Sequence, residues 1–425
     1  MANQFLIKGG IPLAGEVEIS GYKNSAGAIL AAALLSEEPS VIDNLPDVTD
    51  VSDQIEILKQ IGAEIEQLSP KKIRINKKNI NPEKIPTDLF EKMRVSILLV
   101  GPLLARFKKI KIPHPGGDKI GLRPILTHIK ALEELGVKVT EKDSFYILES
   151  PAKMESKSIA LREFSVTATE ILMMASALSE NTVKIQIAAD EPQVQDLENF
   201  LNKMGAEIKR TESHTILVKG KNKLNGAEYK ICPDLLEAGT FMIALALTGG
   251  QGRIKNINSD HMTMFLNIMK IIGVNFDIIE SKEKNLEEIL VKPSFDFTST
   301  IIQALPYPGF PTDLQPQISV LLTQAKGKSL IHEPLYENRF QHLQELRKMG
   351  ADIEITDPHR ALIFGKTELT GTKLNASDIR SGAALILAGL AAKGQTTIEN
   401  ISQIKRGYER IEEKLKTLGA QIEKN

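Results

Sequence analysis

Two hydrophobic patterns alternate along this chain. In the first, nearly every position is apolar or small: SAGAILAAALLS, RVSILLVGPLLA, TEILMMASALS, AGTFMIALALT, QISVLLTQAKG and GAALILAGLAAKG. Helices that are apolar on most faces belong in an interior. In the second, apolar residues recur every three or four positions and stop at a glycine, in variants of Leu-x-x-Leu/Met-Gly-Ala-x-Ile. The six copies are LKQIGAEIE at Leu58, LEELGVKVT at Leu132, LNKMGAEIK at Leu201, MKIIGVNFD at Met269, LRKMGADIE at Leu346 and LKTLGAQIE at Leu415. Each reads as an amphipathic helix ended by glycine, the residue that takes a left-handed cap without penalty, with a strand leaving the cap. Short runs such as PSVIDNL, VKIQIAA, GRIKNIN, KSLIHEP and QTTIENI lie between the two patterns and predict further strands.

The pivots Gly62, Gly136, Gly205, Gly273, Gly350 and Gly419 recur about every 70 residues and account for nearly the whole chain. The predicted unit is strand–helix–strand–helix with extra strands. One such unit cannot bury its all-apolar helix. Three of them, packed around six helices with the sheets outside, can. An α/β protein of two domains with three repeats each is therefore expected, jointed near KGKNKLNGAEYKICPD, where Gly, Lys and Asn replace the periodic apolar residues. Two such lobes are expected to leave a cleft, a preferred place for ligands.

Composition narrows the function. The 53 Lys+Arg and 54 Asp+Glu nearly cancel, and aromatic residues make up 5%. Neither figure favours nucleic acid or a membrane surface as a partner. The basic run PKKIRINKKN alternates charge with Ile and reads as a solvated strand pair. The single cysteine, Cys232, rules out a disulfide within the chain, and the seven histidines have no metal-ligand spacing. No metal and no cofactor are expected. MANQFLIKGG is not a signal peptide and the apolar stretches are too short to span a bilayer, so a cytoplasmic location is expected.

Four segments depart from the repeat. ISGYKNSAGA places Lys23 and Asn24 at the start of a buried helix, where free N–H groups and the helix dipole favour an anion. IPHPGGDKIGLRP puts Asp118 on a Gly-Pro loop beside Lys and Arg, as a possible proton carrier, with Arg123 and Pro124 expected to start a helix. LPYPGFPTDLQPQ holds Asp313 at the first turn of a helix, where a Thr-Asp pair commonly caps. Isolated arginines, namely Arg94, Arg339, Arg380 and Arg406, would hold phosphate and carboxylate groups in bidentate fashion if they converged. There is no Walker loop and no assembled Ser-His-Asp set. Several cations with a few carboxylates suit a substrate carrying several negative charges.

At these segments the chain resembles the UDP-N-acetylglucosamine enolpyruvyl transferase family. GEVEISGYKN, KMRVSILLVGPLLAR, PGGDKIGLRP, DEPQVQDLENFL, FPTDLQPQ, YENRF, SDIRSGAAL and RGYERIEEKL occur in order at family spacing across essentially all 425 residues. The resemblance implies the two-domain inside-out α/β barrel, with 23–232 as one lobe and 1–22 plus 233–425 as the other. It also implies the first committed step of peptidoglycan synthesis: enolpyruvyl transfer from phosphoenolpyruvate to the 3-hydroxyl of UDP-N-acetylglucosamine, releasing phosphate. The sister enzyme, 5-enolpyruvylshikimate-3-phosphate synthase, shares the fold, but its Gly-Asn-Ala-Gly-Thr and Ser-Ser-Gln motifs are absent here.

By resemblance, Asp118, Asp313, Lys23 and Asn24 are catalytic, with Asp313 against the sugar hydroxyl. Lys23, Asn24, Arg123, Asp378, Arg380 and Arg406 belong to the phosphoenolpyruvate side. Arg94, the turn of Arg123, Pro124, Ile125, Leu126 and Thr127, the turn of Ser165, Val166 and Thr167, and also Asp313 and Leu335 belong to the UDP-sugar side. Departures from the family pattern are specific. Asp118 stands where most members carry a cysteine, so its carboxyl must hold a proton to donate one, activity is expected at lower pH, and the thiol-alkylating inhibitor fosfomycin is expected to have no effect. Glu163 stands for a Lys of some members, Gln193 for Glu, Gln403 and Lys405 for His and Asp, and Thr167 for Gly. A non-catalytic anion-binding relative and a shikimate-directed activity are the alternatives.

Overall fold

All six signature glycines end their helices with left-handed backbone, φ running from 86° at Gly419 to 108° at Gly62 in a computed structural model that describes residues 3–151, 155–281 and 286–425. In five copies the residue after the glycine donates its N–H back to the carbonyl of the first signature residue. These bonds are Val137 to Leu132 (2.9 Å), Ala206 to Leu201 (3.1 Å), Val274 to Met269 (2.9 Å), Ala351 to Leu346 (3.1 Å) and Ala420 to Leu415 (3.0 Å). This bond satisfies a helix-end carbonyl and aims the chain into the following strand. Both apolar positions of every copy are buried, which ties the turn to the core. Burying each such side chain contributes roughly 1.5–3 kcal/mol.

Each capped helix leads into a strand and most of these strands return as hairpins. Ala63–Ser69 pairs antiparallel with Lys72–Lys77, and Asp352–Asp357 pairs with Arg360–Gly365. The basic run after Ser69 is thus one strand of a hairpin and not a pair. Ile73 and Ile75 enter the core from it, while Arg74 points out. The sixth repeat has only Gln421–Lys424, and its missing partner comes from the other end of the chain. Strand Gln4–Lys8 lies antiparallel between Gln421–Lys424 and Gln395–Glu399. The next strand, Ala14–Glu18, runs parallel to Gln251–Ile257 of the fourth repeat.

The chain divides into two compact units. One comprises residues 21–118 and 123–232. Its buried helices are Lys23–Ala32, Val100–Arg106 and Val166–Ser176, and strand Glu228–Lys230 closes it by running parallel to Ser40–Asp43 of the first repeat. The other comprises residues 1–20, 119–122 and 233–425, with Leu235–Leu247, Gln315–Leu322 and Ile379–Ala391 buried along nearly their whole lengths. Residues 119–122, expected within the first lobe, group with this second unit because they hydrogen-bond to its 337–341 segment. Leu122 N–H donates to Glu337 (2.6 Å) and Asn338 Nδ2 donates to the Lys119 carbonyl (2.9 Å). No helix among the described residues is long and apolar enough to cross a membrane.

Two helix expectations are corrected. RVSILLVGPLLA is a 3-10 turn, Arg94–Leu99, followed by the α-helix Val100–Arg106. Pro102 has no N–H to give, so the α-helix begins where Pro102 falls in its first turn. The helix expected at Arg123-Pro124 begins at Leu126, after Ile125.

The caps set a test. A Cβ at Gly419 meets nothing within 4 Å, so Gly419→Ala carries only the left-handed backbone cost, about 1–2 kcal/mol. At Gly62 the Cβ would lie 2.2 Å from the Asn79 carbonyl oxygen. Gly62→Ala is expected to lower the urea unfolding midpoint clearly further than Gly419→Ala.

Candidate active site

In the unit built on residues 21–118 and 123–232, the candidate residues cluster at helix beginnings. Lys23 opens the helix Lys23–Ala32, and its Nζ pairs with Asp50 Oδ2 at 2.6 Å, a carboxylate that is itself buried. Asn24 Nδ2 donates to the Tyr22 hydroxyl at 3.3 Å. Gly27 on the same helix packs against Val95, so this helix meets the segment that carries Arg94. Arg94 donates from Nη1 to the Arg123 carbonyl (2.8 Å) and from Nη2 to the Pro124 carbonyl (3.4 Å). It therefore anchors the end of the Gly-Pro loop. Gly117 (φ 122°) passes so close that a Cβ would lie 3.0 Å from Arg94 Cβ and 3.1 Å from Arg123 Nη1. Asp118, half-buried, follows directly.

The next helix, Leu126–Glu134, brings the Arg123-to-Thr127 turn to the beginning of Val166–Ser176. Thr127 donates to Glu163 Oε1 (2.7 Å), and His128 Nε2 lies 2.7 Å from Thr167 Oγ1. Two departures from the family pattern thus bind these helix starts to each other: Glu163 accepts from Thr127, and Thr167 holds His128. Burial, followed by the charges of Arg94 and Arg123, lowers His128 to about 3, so it is neutral at physiological pH. Ser165 caps its helix, accepting from Ala168 N–H at 3.4 Å. Gln193, the third departure, is buried with its Oε1 unpartnered.

In the unit completed by residues 233–425, Asp313 is the centre. It lies in the 3-10 turn Thr312–Leu314 before the helix Gln315–Leu322 and makes no cap bond. Its Oδ1 pairs with Arg339 Nη2 (2.7 Å) and its Oδ2 with Arg380 Nε (3.1 Å). The two arginine side chains are 1% and 4% exposed, whereas the Asp313 side chain is 31% exposed. Burial works to raise its carboxyl, but the guanidinium groups of Arg380 and Arg339 outweigh that and hold it below the usual carboxylate range. It is ionised at physiological pH, suited to accepting from a substrate hydroxyl and weak as a base.

Asp378 caps the helix Ile379–Ala391. Its Oδ1 accepts from Arg380 N–H (2.9 Å) and Ser381 N–H (3.1 Å), and the Ser381 hydroxyl bonds Oδ2. It thus sets where Arg380 stands. Arg406 Nη1 donates to Gln403 Oε1 at 3.0 Å, so the Gln that replaces the family His restrains this arginine. Leu335 is exposed, and its N–H donates to Glu333 Oε1 at 3.1 Å. The other Glu333 oxygen accepts from Thr312 (2.6 Å). Glu333 is fully buried, and burial raises its carboxyl against the pull of Thr312 and Arg339.

Arg339 and Glu333 stand outside the expected site set. Arg339 was visible only as one of several isolated arginines. Glu333, in HEPLYENRF, carries no local signal, because only folding joins it to Thr312.

The family model for EPSP synthase (3-phosphoshikimate 1-carboxyvinyltransferase) matches residues 7–415. The chain is 43% identical over 422 residues to UDP-N-acetylglucosamine 1-carboxyvinyltransferase 1 of Caldanaerobacter subterraneus subsp. tengcongensis, covering 99% of each. It is 41% identical over 426 residues to UDP-N-acetylglucosamine 1-carboxyvinyltransferase of Koribacter versatilis, covering 99% of this chain and 96% of that one. In fold it matches the crystal structure of the enolpyruvyl transferase NikO from Streptomyces tendae (TM-score 0.88, 24% identity, 100% and 99% covered). It also matches EPSP synthase from Acinetobacter baumannii (TM-score 0.77, 18% identity, 99% of each covered).

His128 offers a pH test. From pH 6.5 down to about 3 the unfolded chain binds a proton that the folded chain refuses, so stability falls as pH drops through this window. His128→Gln is expected to flatten the pH slope of unfolding free energy there by about 1.4 kcal/mol per pH unit, measured by urea titration at several pH values.

With a match spanning nearly all of its length and a fold shared with solved enolpyruvyl transferases, the chain belongs to the EPSP synthase family of carboxyvinyltransferases.

Proposed function

We propose that this chain transfers the enolpyruvyl group of phosphoenolpyruvate to the 3-hydroxyl of UDP-N-acetylglucosamine, releasing phosphate, as the first committed step of peptidoglycan synthesis. The observation that carries this reading is Asp313, a part-exposed carboxylate clamped by two buried arginines. It occurs in a chain 41–43% identical over its length to proteins that bear the name of this activity. We place the activity in the cytoplasm as part of the same proposal.

The chemistry requires a proton on the methylene carbon of phosphoenolpyruvate, a bond from the sugar oxygen to its C2, and loss of the hydroxyl proton. The product is a tetrahedral phosphate-bearing ketal. Breaking the C2–O bond to phosphate, with loss of a methyl proton, then restores the double bond. Asp118 is the proposed proton donor, and Asp313 the group that receives and orients the sugar hydroxyl. Lys23, Arg123 and Arg406 hold the phosphate and carboxylate of phosphoenolpyruvate, and Asn24 steadies the intermediate. Arg94, the turn 123–127, the helix start at Ser165, Val166 and Thr167, and Leu335 serve the UDP-sugar. Asp378, occupied as a cap, acts by placing Arg380.

Phosphate release from phosphoenolpyruvate is expected with UDP-N-acetylglucosamine and not with shikimate-3-phosphate, the acceptor that the family description suggests. The reverse preference would overturn this reading. Asp313→Asn keeps the shape but gives up the charge between two arginines, and is expected to lower kcat by roughly 10²-fold or more.

Asp118 yields a second test. Asp118→Ala is expected to lower kcat by about 10²–10⁴-fold. The wild type is expected to resist time-dependent inactivation by fosfomycin and to work best on the acid side of neutrality. Asp118→Cys, which supplies a thiolate, should gain sensitivity and shift its pH profile upward. Inactivation of the wild type through modification of Asp118 would refute the assignment.

A further inference from the structure

Tyr408 is buried to 2% exposure where three core helices of one unit come together. Gln317, on Gln315–Leu322, donates from Nε2 to the Tyr408 hydroxyl at 2.8 Å. Thr240, on Leu235–Leu247, lies 2.9 Å from the same oxygen. The Thr240 hydroxyl already donates to the Leu236 carbonyl (2.7 Å), so in its pair with Tyr408 the tyrosine must be the donor. The Arg380 side chain also hydrogen-bonds this oxygen, so the phenol donates one bond and accepts two. The third helix, Ile379–Ala391, sets Arg380 against the ring, with Cζ 5.3 Å from the centroid. The same guanidinium holds Asp313 through its Nε, at 3.1 Å.

We infer that Tyr408 is a positioning residue: anchored by Gln317 and Thr240, its ring fixes the Arg380 guanidinium and, through it, the Asp313 carboxylate. The inference rests on the proposed role of Asp313. A buried cation over an aromatic face is attracted by the ring quadrupole, and the attraction is stronger where water is excluded. Arg380 has several rotatable bonds. A rigid ring beneath it selects one rotamer, and the carboxylate it grips inherits that precision. Displacement of a substrate-orienting group by an ångström is enough to slow a reaction strongly.

The test uses the full chain and two readouts. The first is phosphate release at saturating phosphoenolpyruvate and UDP-N-acetylglucosamine, for wild type, Tyr408→Phe, Tyr408→Leu, Arg380→Lys and Tyr408→Leu/Arg380→Lys, with thermal unfolding of each. Tyr408→Phe keeps the ring face but loses every hydroxyl anchor and is expected to lower kcat by about three- to tenfold, while Tyr408→Leu loses roughly 30- to 100-fold. In the Arg380→Lys background the Leu substitution is expected to add less than about threefold, the non-additivity of residues that act through one another. Full additivity, or wild-type turnover by a folded Tyr408→Leu, overturns the inference.

The second readout is the Arg380 Nε–H resonance in a nitrogen-labelled chain. It is expected to be ring-current shifted in the wild type, to move in Tyr408→Phe, which loses the hydroxyl anchors, and to lose that shift in Tyr408→Leu. If the wild type does not turn over this substrate pair, the functional reading has failed, and the resonance alone then decides the positioning claim. If Tyr408→Leu does not fold, Thr240→Val is used. It removes one anchor of the phenol and should move the same resonance; an unmoved signal counts against the inference.

Discussion

The left-handed turn at the end of each amphipathic helix is the constraint on which the rest of the structure depends. A helix that simply frayed could not deliver its following strand into a particular sheet. Here the glycine reverses the chain, in five of the copies the next N–H reaches back five residues, and in all of them the two buried signature residues fasten the turn to the core. Repeating this device six times produces sheets whose inner faces can cover helices that are apolar all round. No single repeat is self-sufficient, because one sheet cannot enclose such a helix. Closure within each unit therefore comes from chain far away in sequence: Glu228–Lys230 beside the first repeat, and the strands Gln4–Lys8 and Ala14–Glu18 beside the sixth and fourth.

On this scaffold the charged groups are arranged so that few stand alone. Arg339 and Arg380 would be costly to bury singly, and Asp313 between them offsets much of that cost while keeping part of its surface open. Lys23 against Asp50 follows the same logic in the other unit. The pairing has a chemical consequence. A carboxylate gripped by two cations accepts a hydrogen bond readily and accepts a proton reluctantly, so Asp313 is better fitted to orient a hydroxyl than to deprotonate it. Glu333, which accepts from the Thr312 side chain next to Asp313, sits in the opposite environment, where burial raises its carboxyl.

How much of the site was legible depended on whether a residue's task is local. Asp378 precedes a helix as Ser-Asp-x-x-Ser, and its capping role could have been read from that alone. Lys23 and Ser165 at helix starts were similarly accessible, and the loop motif drew attention to Asp118 and Arg123. The partners were not. That Arg94 spends its guanidinium on the carbonyls of Arg123 and Pro124, that Gln403 steadies Arg406, and that Thr167 meets His128 are contacts across 3 to 39 positions. Of these, only Gln403 to Arg406, three positions apart, had any local signal. The assignment of 119–122 to the second unit likewise reflects hydrogen bonds to residues more than 200 positions away.

Periodicity and the placement of glycine determined the repeat, the secondary elements and the burial of the central helices, because each follows from local backbone preference and from the number of apolar faces that must be hidden. The motifs likewise supplied the candidate side chains for the proposed chemistry. Only the tertiary structure decided how those side chains are charged and held. Electrostatic environment is set by neighbours that the chain brings from distant repeats, and a periodic pattern carries no record of which carboxylate will meet which arginine.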